Sequence, residues 1–349
     1  MFKNNNTIID TTWGNYRLYT LTNELGTKIE ISDLGAAIVN FFVKDGYSQE
    51  RNIVLGYQDS ANYINSETYI SGIVGPWGNR IEGGTFSLNN ETVQLELNEE
   101  DNHLHGAGCN LHKRRWDVIA TAAQGITFQT TVSKGDGGYP ANIILMVTYR
   151  LSNDNELTIN VWADPDEKCP LNVTHHFYFN LFGRKNDVTS HVVAIDADQF
   201  WRTDQNLIPK EKSSTYQTPM DFLQPKPIGV GLKSQSHDIL QASGYDHCFI
   251  LNGQGLRPVG WVFEPKIGLS LEILTDKPAM QFYTGNHLNE ERDSFGKYSG
   301  VCFEPQHFPN QVNMDGLLED VMYDKDRPYS STTIYKIQVE KTNSSLYLN

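Results

Sequence analysis

Ile143-Ile-Leu-Met-Val-Thr-Tyr149, Asn153-Asp-Asn155 and Leu157-Thr-Ile-Asn-Val-Trp162 read as strand, turn, strand. Both apolar runs are rich in β-branched or aromatic residues, which fit a pleated surface, and Asn and Asp tolerate the backbone of a tight turn. The same rhythm extends outward. Thr27-Lys-Ile-Glu-Ile31 alternates, Leu34-Gly-Ala-Ala37 turns, and Ile38-Val-Asn-Phe-Phe-Val43 resumes. Asp45-Gly46, Asn89-Asn90 and Lys134-Gly-Asp-Gly-Gly138 punctuate further runs such as Asn52-Ile-Val-Leu-Gly56. Almost no segment keeps apolar residues at helical spacing over several turns. Short strands with turn signals at roughly 8–12-residue intervals predict an all-β sandwich or barrel with very little helix. The 349 residues contain no linker, low-complexity stretch or clear repeat, so a single domain over 1–349 is expected.

Lys and Arg total 28 against 42 Asp and Glu, a net charge of −14. Without a basic run to follow a phosphate backbone, neither nucleic acid nor an anionic membrane is expected as a partner. Met1-Phe-Lys-Asn-Asn-Asn-Thr7 lacks the apolar core of a signal peptide, and no run approaches the ~20 apolar residues of a membrane span. Cys109, Cys169, Cys248 and Cys302 lie far apart without a C-x-x-C pair. They read as reduced, buried thiols of a cytoplasmic protein.

Five polar clusters stand out. Gly75-Pro-Trp-Gly-Asn-Arg-Ile81 is a loop presenting Asn79 and Arg80, whose guanidinium suits hydroxyls or a carboxylate. In His103-Leu-His-Gly-Ala-Gly108 the two histidines would face one side at strand spacing, which keeps a metal in consideration. In Asn172-Val-Thr-His-His-Phe-Tyr-Phe-Asn180, His175 and His176 point to opposite faces, so at most one serves a site. Gly244-Tyr-Asp-His-Cys-Phe-Ile250 sets Asp246 before an apolar strand. Gly300-Val-Cys-Phe-Glu-Pro-Gln-His-Phe-Pro-Asn310 delivers Glu304 at the end of a strand stiffened by Pro305. Trp77, Phe177, Tyr178 and Phe282 are candidate apolar walls. Such a mixture of acceptors, donors and aromatic surface suits a sugar.

In order along the chain, these segments resemble the motifs of the aldose 1-epimerase (galactose mutarotase) family. Asn79-Arg80-Ile81 is similar to its N-R-I, Leu104-His105-Gly106 to its L-H-G, and Asn172-x-Thr-x-His176-x-Tyr-Phe-Asn180 to its N-x-T-x-H-x-Y-F-N. Tyr245-Asp246-His247, Gln281-Phe-Tyr-Thr-Gly-Asn286 and Cys302-Phe-Glu-Pro-Gln-His-Phe-Pro309 complete the series. Pro76-Trp77-Gly78 departs from the usual Arg-Tyr-Ala-like run, which implies a different substrate wall there, and the segment between His105 and Trp116 is short and basic (His112-Lys-Arg-Arg115), which alters either the rim of the cleft or merely the surface.

The resemblance implies a large antiparallel β-sandwich of the galactose-mutarotase type, acting without cofactor or metal as a monomer or homodimer. It further implies interconversion of α and β anomers of free hexoses, galactose and glucose, by acid–base ring opening and reclosure. By carry-over, Glu304 is the base at O1 and His176 the acid at O5. His105 supports the ring oxygen, Arg80 and Asp246 hold hydroxyls, and Asn79 and Gln281 assist. A carboxylate (~4.3) and an imidazole (~6.5) can serve as base and acid near neutrality if their sites shift them suitably. Three alternatives compete: a metal centre on His105, His176 and Glu304; a non-catalytic sugar-binding sandwich; and a hexose-6-phosphate 1-epimerase on the same fold.

Overall fold

Strands Glu156–Pro165 and Tyr329–Val339 bury alternate side chains over most of their length, the period of a sheet with one face on a core. They are central in a nine-stranded antiparallel sheet running Asp117–Ala122, Gly125–Val132, Ile143–Leu151, Glu156–Pro165, Tyr329–Val339, Leu269–Thr275, Arg257–Glu264, Val192–Ile195 and Lys226–Pro227. The hairpin read from the sequence is present: Leu151 pairs with Leu157, and Asn155 supplies the left-handed turn residue (φ 59°). The computed structural model describes residues 8–184 and 186–340. The leader reading on Met1–Thr7 therefore lies outside the described residues.

A six-stranded sheet, Tyr178–Phe179, Val301–Gln306, Ala279–Tyr283, Asp246–Ile250, Gln199–Thr203 and Pro209–Ser214, packs on the first. Tyr335 ties the layers by donating its hydroxyl to the Phe303 carbonyl at 2.9 Å. A five-stranded sheet from Ile9–Trp13 to Glu50–Asn52 flanks them. All named strand pairs within these three sheets are antiparallel. Helix is confined, among the described residues, to a few short pieces, the longest being Ser60–Asn65. None is long and apolar enough to cross a membrane. The four cysteines are buried and free, as their spacing implied.

Ala279–Tyr283 and Val301–Gln306 are buried on both faces. Their period of two sends Phe282 and Phe303 into the main core, while Gln281, Tyr283, Cys302 and Glu304 face the other way. Val301–Gln306 continues through Pro305 instead of ending at Glu304. The Pro305 carbonyl accepts from Thr174 Oγ1 at 2.8 Å. Since N–H and C=O of one extended residue point the same way, the missing N–H faces Thr174, not the Ala279–Tyr283 ladder.

His175 lies flat on Phe177 in this core, with ring centroids 4.4 Å apart and 8° between planes, and burial pushes its pKa down to about 3. The unfolded chain protonates His175 near 6.5, whereas the native fold does so only near 3, so its contribution to stability is lost as pH falls below 6.5. His175→Gln is expected to flatten the dependence of unfolding free energy on pH between 6.5 and 5 by up to about 1.4 kcal/mol per pH unit. Denaturant titrations at several pH values check this; unchanged slopes would mean that His175 protonates freely in the native state.

Candidate active site

Two left-handed residues start the site. Asn79 (φ 67°) and His105 (φ 51°) face each other across the ladder pairing Arg80–Ile81 with His103–Leu104. The Asn79 N–H donates to His105 Nδ1 at 3.1 Å, so the proton of neutral His105 sits on Nε2. Gly106 follows at φ 83° because a Cβ there would lie 1.8 Å from the Gly75 carbonyl oxygen. This turn overrules the strand-spacing reading of the histidine pair. His105 lines the cleft, while His103 is held elsewhere by Tyr139 (2.9 Å) and the Glu96 carbonyl (2.7 Å).

From the six-stranded sheet come Glu304, Gln281 and Asp246, on three adjacent strands. Gln281 donates to Asp246 Oδ1 at 2.6 Å. His176, on the opposite strand face from His175, brings Nε2 to 3.7 Å from Glu304 Oε1, and its Nδ1 lies 3.5 Å from the Cys302 sulfur. Glu304 Oε2 and Gln281 Oε1 are buried without a partner. Buried polar atoms ordinarily have one, so both mark where a ligand's hydroxyls would sit. The cavity above them is about 160 Å³ and includes all seven residues singled out from the sequence: Asn79, Arg80, His105, His176, Asp246, Gln281 and Glu304.

Other readings need correction. Trp77, Phe177 and Phe282 belong to the core and leave only Tyr178 of the proposed apolar walls in the cleft. The Pro76-Trp77-Gly78 departure thus alters the interior, not the wall. Tyr69 and Tyr283 take the wall positions instead. Tyr69, at φ 54°, is sandwiched between His105 and His112 with both centroids 4.6 Å away. The basic run does not form the rim: His112 is buried, Arg114 pairs with Asp136, and Arg115 reaches Asp33 and the Asn15 carbonyl. Tyr283 was reachable by counting two residues on from Gln281, whereas nothing in the sequence marks Tyr69.

This geometry can pass protons to and from a small polyhydroxylated ligand, and residues 17–336 match the family profile for aldose 1-epimerase. The chain belongs to the aldose 1-epimerase family. It is 31% identical to the aldose 1-epimerase of Escherichia coli over 93% of this chain and 96% of that one. The human galactose mutarotase is 30% identical over 93% of this chain and 95% of its own. Among solved structures, a galactose 1-epimerase from Lactobacillus acidophilus superposes with a TM-score of 0.85 at 26% identity, covering 95% of this chain and 98% of that one. An aldose epimerase homologue from C. elegans superposes at 0.86 with 22% identity, covering 93% and 100%, and shows the same fold.

Within this aldose 1-epimerase fold, burial governs the charge of the central pair. It pushes the Glu304 carboxyl well above the usual range, reinforced by Asp246 and opposed by Arg80. It also pushes His176 down to about 4. Burial thus disfavours the charged form of each partner in this contact, favouring a protonated carboxyl beside a neutral imidazole. His105 is likewise held neutral, well below its ordinary value, by burial and by His176. A second proton joins the pair only near pH 4. The kcat/KM for a neutral sugar is therefore expected to stay level from pH 7 down to 5.5. Initial rates on refolding-competent enzyme check this, and an acid limb near 6.5 would show a solvated His176.

Proposed function

We propose that this chain, acting as one domain and as a monomer or homodimer, interconverts the anomers of free aldohexoses with Glu304 and His176 as its proton-transfer pair. The observation that carries this is their 3.7 Å approach in a buried cleft where Glu304 Oε2 has no partner. When the sugar binds, one proton passes from Glu304 to His176, and Glu304, now a carboxylate, takes the proton of the anomeric O1–H. The O1 electron pair forms the C1=O1 carbonyl, the C1–O5 bond breaks, and O5 takes a proton from the His176 imidazolium. Rotation about C1–C2 presents the other aldehyde face. On reclosure O5 returns its proton to His176 while O1 takes one from Glu304. Protons balance over the cycle.

The open-chain aldehyde thus faces a carboxylic acid and a neutral imidazole, the states that burial favours, so desolvation acts in favour of the intermediate. His105 Nε2–H supports the ring oxygen, and Arg80, Asn79, Asp246 and Gln281 hold hydroxyls. A neutral substrate fits because the cations lining the cleft, Arg80 and Arg292, are already engaged with Glu99 and Asp293. A phosphate dianion requires donors free to clasp it.

The test is polarimetry of freshly dissolved α-D-galactose and α-D-glucose with and without protein; binding without faster relaxation would make the chain a sugar-binding sandwich. Glu304→Gln and His176→Asn are each expected to lower kcat about 10²–10⁴-fold, the usual contribution of a positioned acid or base. Retention of more than about a tenth of the activity in Glu304→Gln would remove Glu304 as the base. Further, kcat/KM for β-D-galactose should exceed that for D-glucose 6-phosphate at matched ionic strength, and the reverse order would overturn the free-sugar reading.

One observation favours a metal: donor atoms of His105, His176 and Glu304 all lie within 4.8 Å of one another. Two bonds of ~2.1 Å span at most about 4.2 Å, so the trio would need at most a small inward shift to hold a divalent ion. Undiminished activity after chelator dialysis is the outcome expected for acid–base catalysis; loss restored by a divalent ion would favour the metal.

A further inference from the structure

Arg80 enters the cleft with its guanidinium already occupied. Its Nε donates to Glu99 Oε2 at 2.6 Å and its Nη2 to Glu99 Oε1 at 2.7 Å, a two-point clasp. The Arg80 side chain is 11% exposed and that of Glu99 33%, so the contact is sheltered on the arginine side and partly open to water on the other. Glu99 is held as firmly as its partner. It opens a turn in which Glu99 and Asn102 exchange both backbone hydrogen bonds, with Glu100 left-handed (φ 50°). The preceding Asn98 latches this turn to Leu104 through both side-chain atoms, at 2.7 and 3.0 Å. Leu104 is the register partner of Arg80. One short ladder therefore fixes acid and base against each other.

The clasp bears on substrate charge. A free guanidinium in a sugar cleft presents a fork that matches a carboxylate or phosphate. Here the Nε/Nη2 edge is taken and the charge compensated by a residue of the chain itself, and Asp246, which also acts on Arg80 electrostatically, adds further negative charge nearby. An anionic substituent approaching the remaining Nη N–H groups would meet a guanidinium whose charge Glu99 already neutralises, with the Glu99 and Asp246 carboxylates near enough to repel it. A sugar hydroxyl needs only the remaining N–H groups. We infer that Glu99 is the specificity-determining residue of this cleft, admitting neutral aldoses and refusing aldoses that carry a carboxylate or phosphate. This rests on the free-sugar reading above and names the residue responsible for it.

The test compares binding of D-galactose and D-galacturonate, by calorimetry at matched ionic strength, to the full chain and to Glu99→Gln, Glu99→Ala and Glu99→Ala/Arg80→Gln. Wild type should bind galactose more tightly. In Glu99→Ala the galacturonate Kd should tighten about tenfold or more, the scale of one charge-assisted contact, while galactose binding weakens because Arg80 loses its anchor. Glu99→Gln, which keeps size and one acceptor, should shift both in the same directions by less. Adding Arg80→Gln should abolish the galacturonate gain. Opposite shifts for the two sugars are what a merely structural role cannot produce. Parallel weakening of both, or an unchanged galacturonate Kd in folded Glu99→Ala, would overturn the inference. Polarimetry on the same wild-type sample separates the underlying reading: tight galactose binding without faster anomer exchange would defeat the epimerase assignment while leaving the charge-selectivity result to stand or fall alone.

Discussion

Withdrawal from water of one carboxyl and one imidazole, Glu304 and His176, is the constraint on which the rest of this structure depends. A lone buried charge is strongly disfavoured, so each group is driven toward its neutral form. In the proposed mechanism a single proton shared by the pair keeps it neutral overall while both exchange protons with the sugar. At 3.7 Å the approach is close but longer than a hydrogen bond, so neither atom satisfies the other. Strands buried on both faces provide that rigidity. Phe282 and Phe303 anchor one side in the main core, while Gln281 and Glu304, one residue away on each strand, line the cleft.

Much of this was legible in the sequence because the information was local. The period of two and the Asn- and Gly-rich turns point to antiparallel strands without reference to distant residues. The same alternation separates His175 from His176, which the structure sends respectively into the core and the cleft. What failed depended on a single dihedral angle or on long-range packing. At His105 one left-handed residue redirects the chain, and period counting assumes that every residue is extended. Trp77, Phe177 and Phe282 are aromatic residues beside polar motifs, and only the packed layers reveal that they face inward.

Glu99 was illegible for another reason. It sits in an acidic run, Asn98-Glu-Glu-Asp-Asn102, that reads as a solvated turn. Its partner Arg80 is 19 residues away, and only the ladder between Arg80–Ile81 and His103–Leu104 brings the two together. The basic run His112–Arg115 shows the converse: a rim and a plain surface segment are both open readings of it, and Arg114 and Arg115 are engaged by backbone carbonyls and nearby acids.

The most direct test of the central claim is the protonation state of Glu304 itself. Infrared difference spectra between wild type and Glu304→Gln, recorded at pH 7 without sugar, isolate the carboxyl stretching band of this one side chain. The expected result is the C=O band of a protonated carboxyl, shifted on deuteration and replaced in part by carboxylate when a sugar binds. A carboxylate band alone in the empty enzyme would contradict the account, because Glu304 and His176 would then form a preformed ion pair that burial had failed to neutralise.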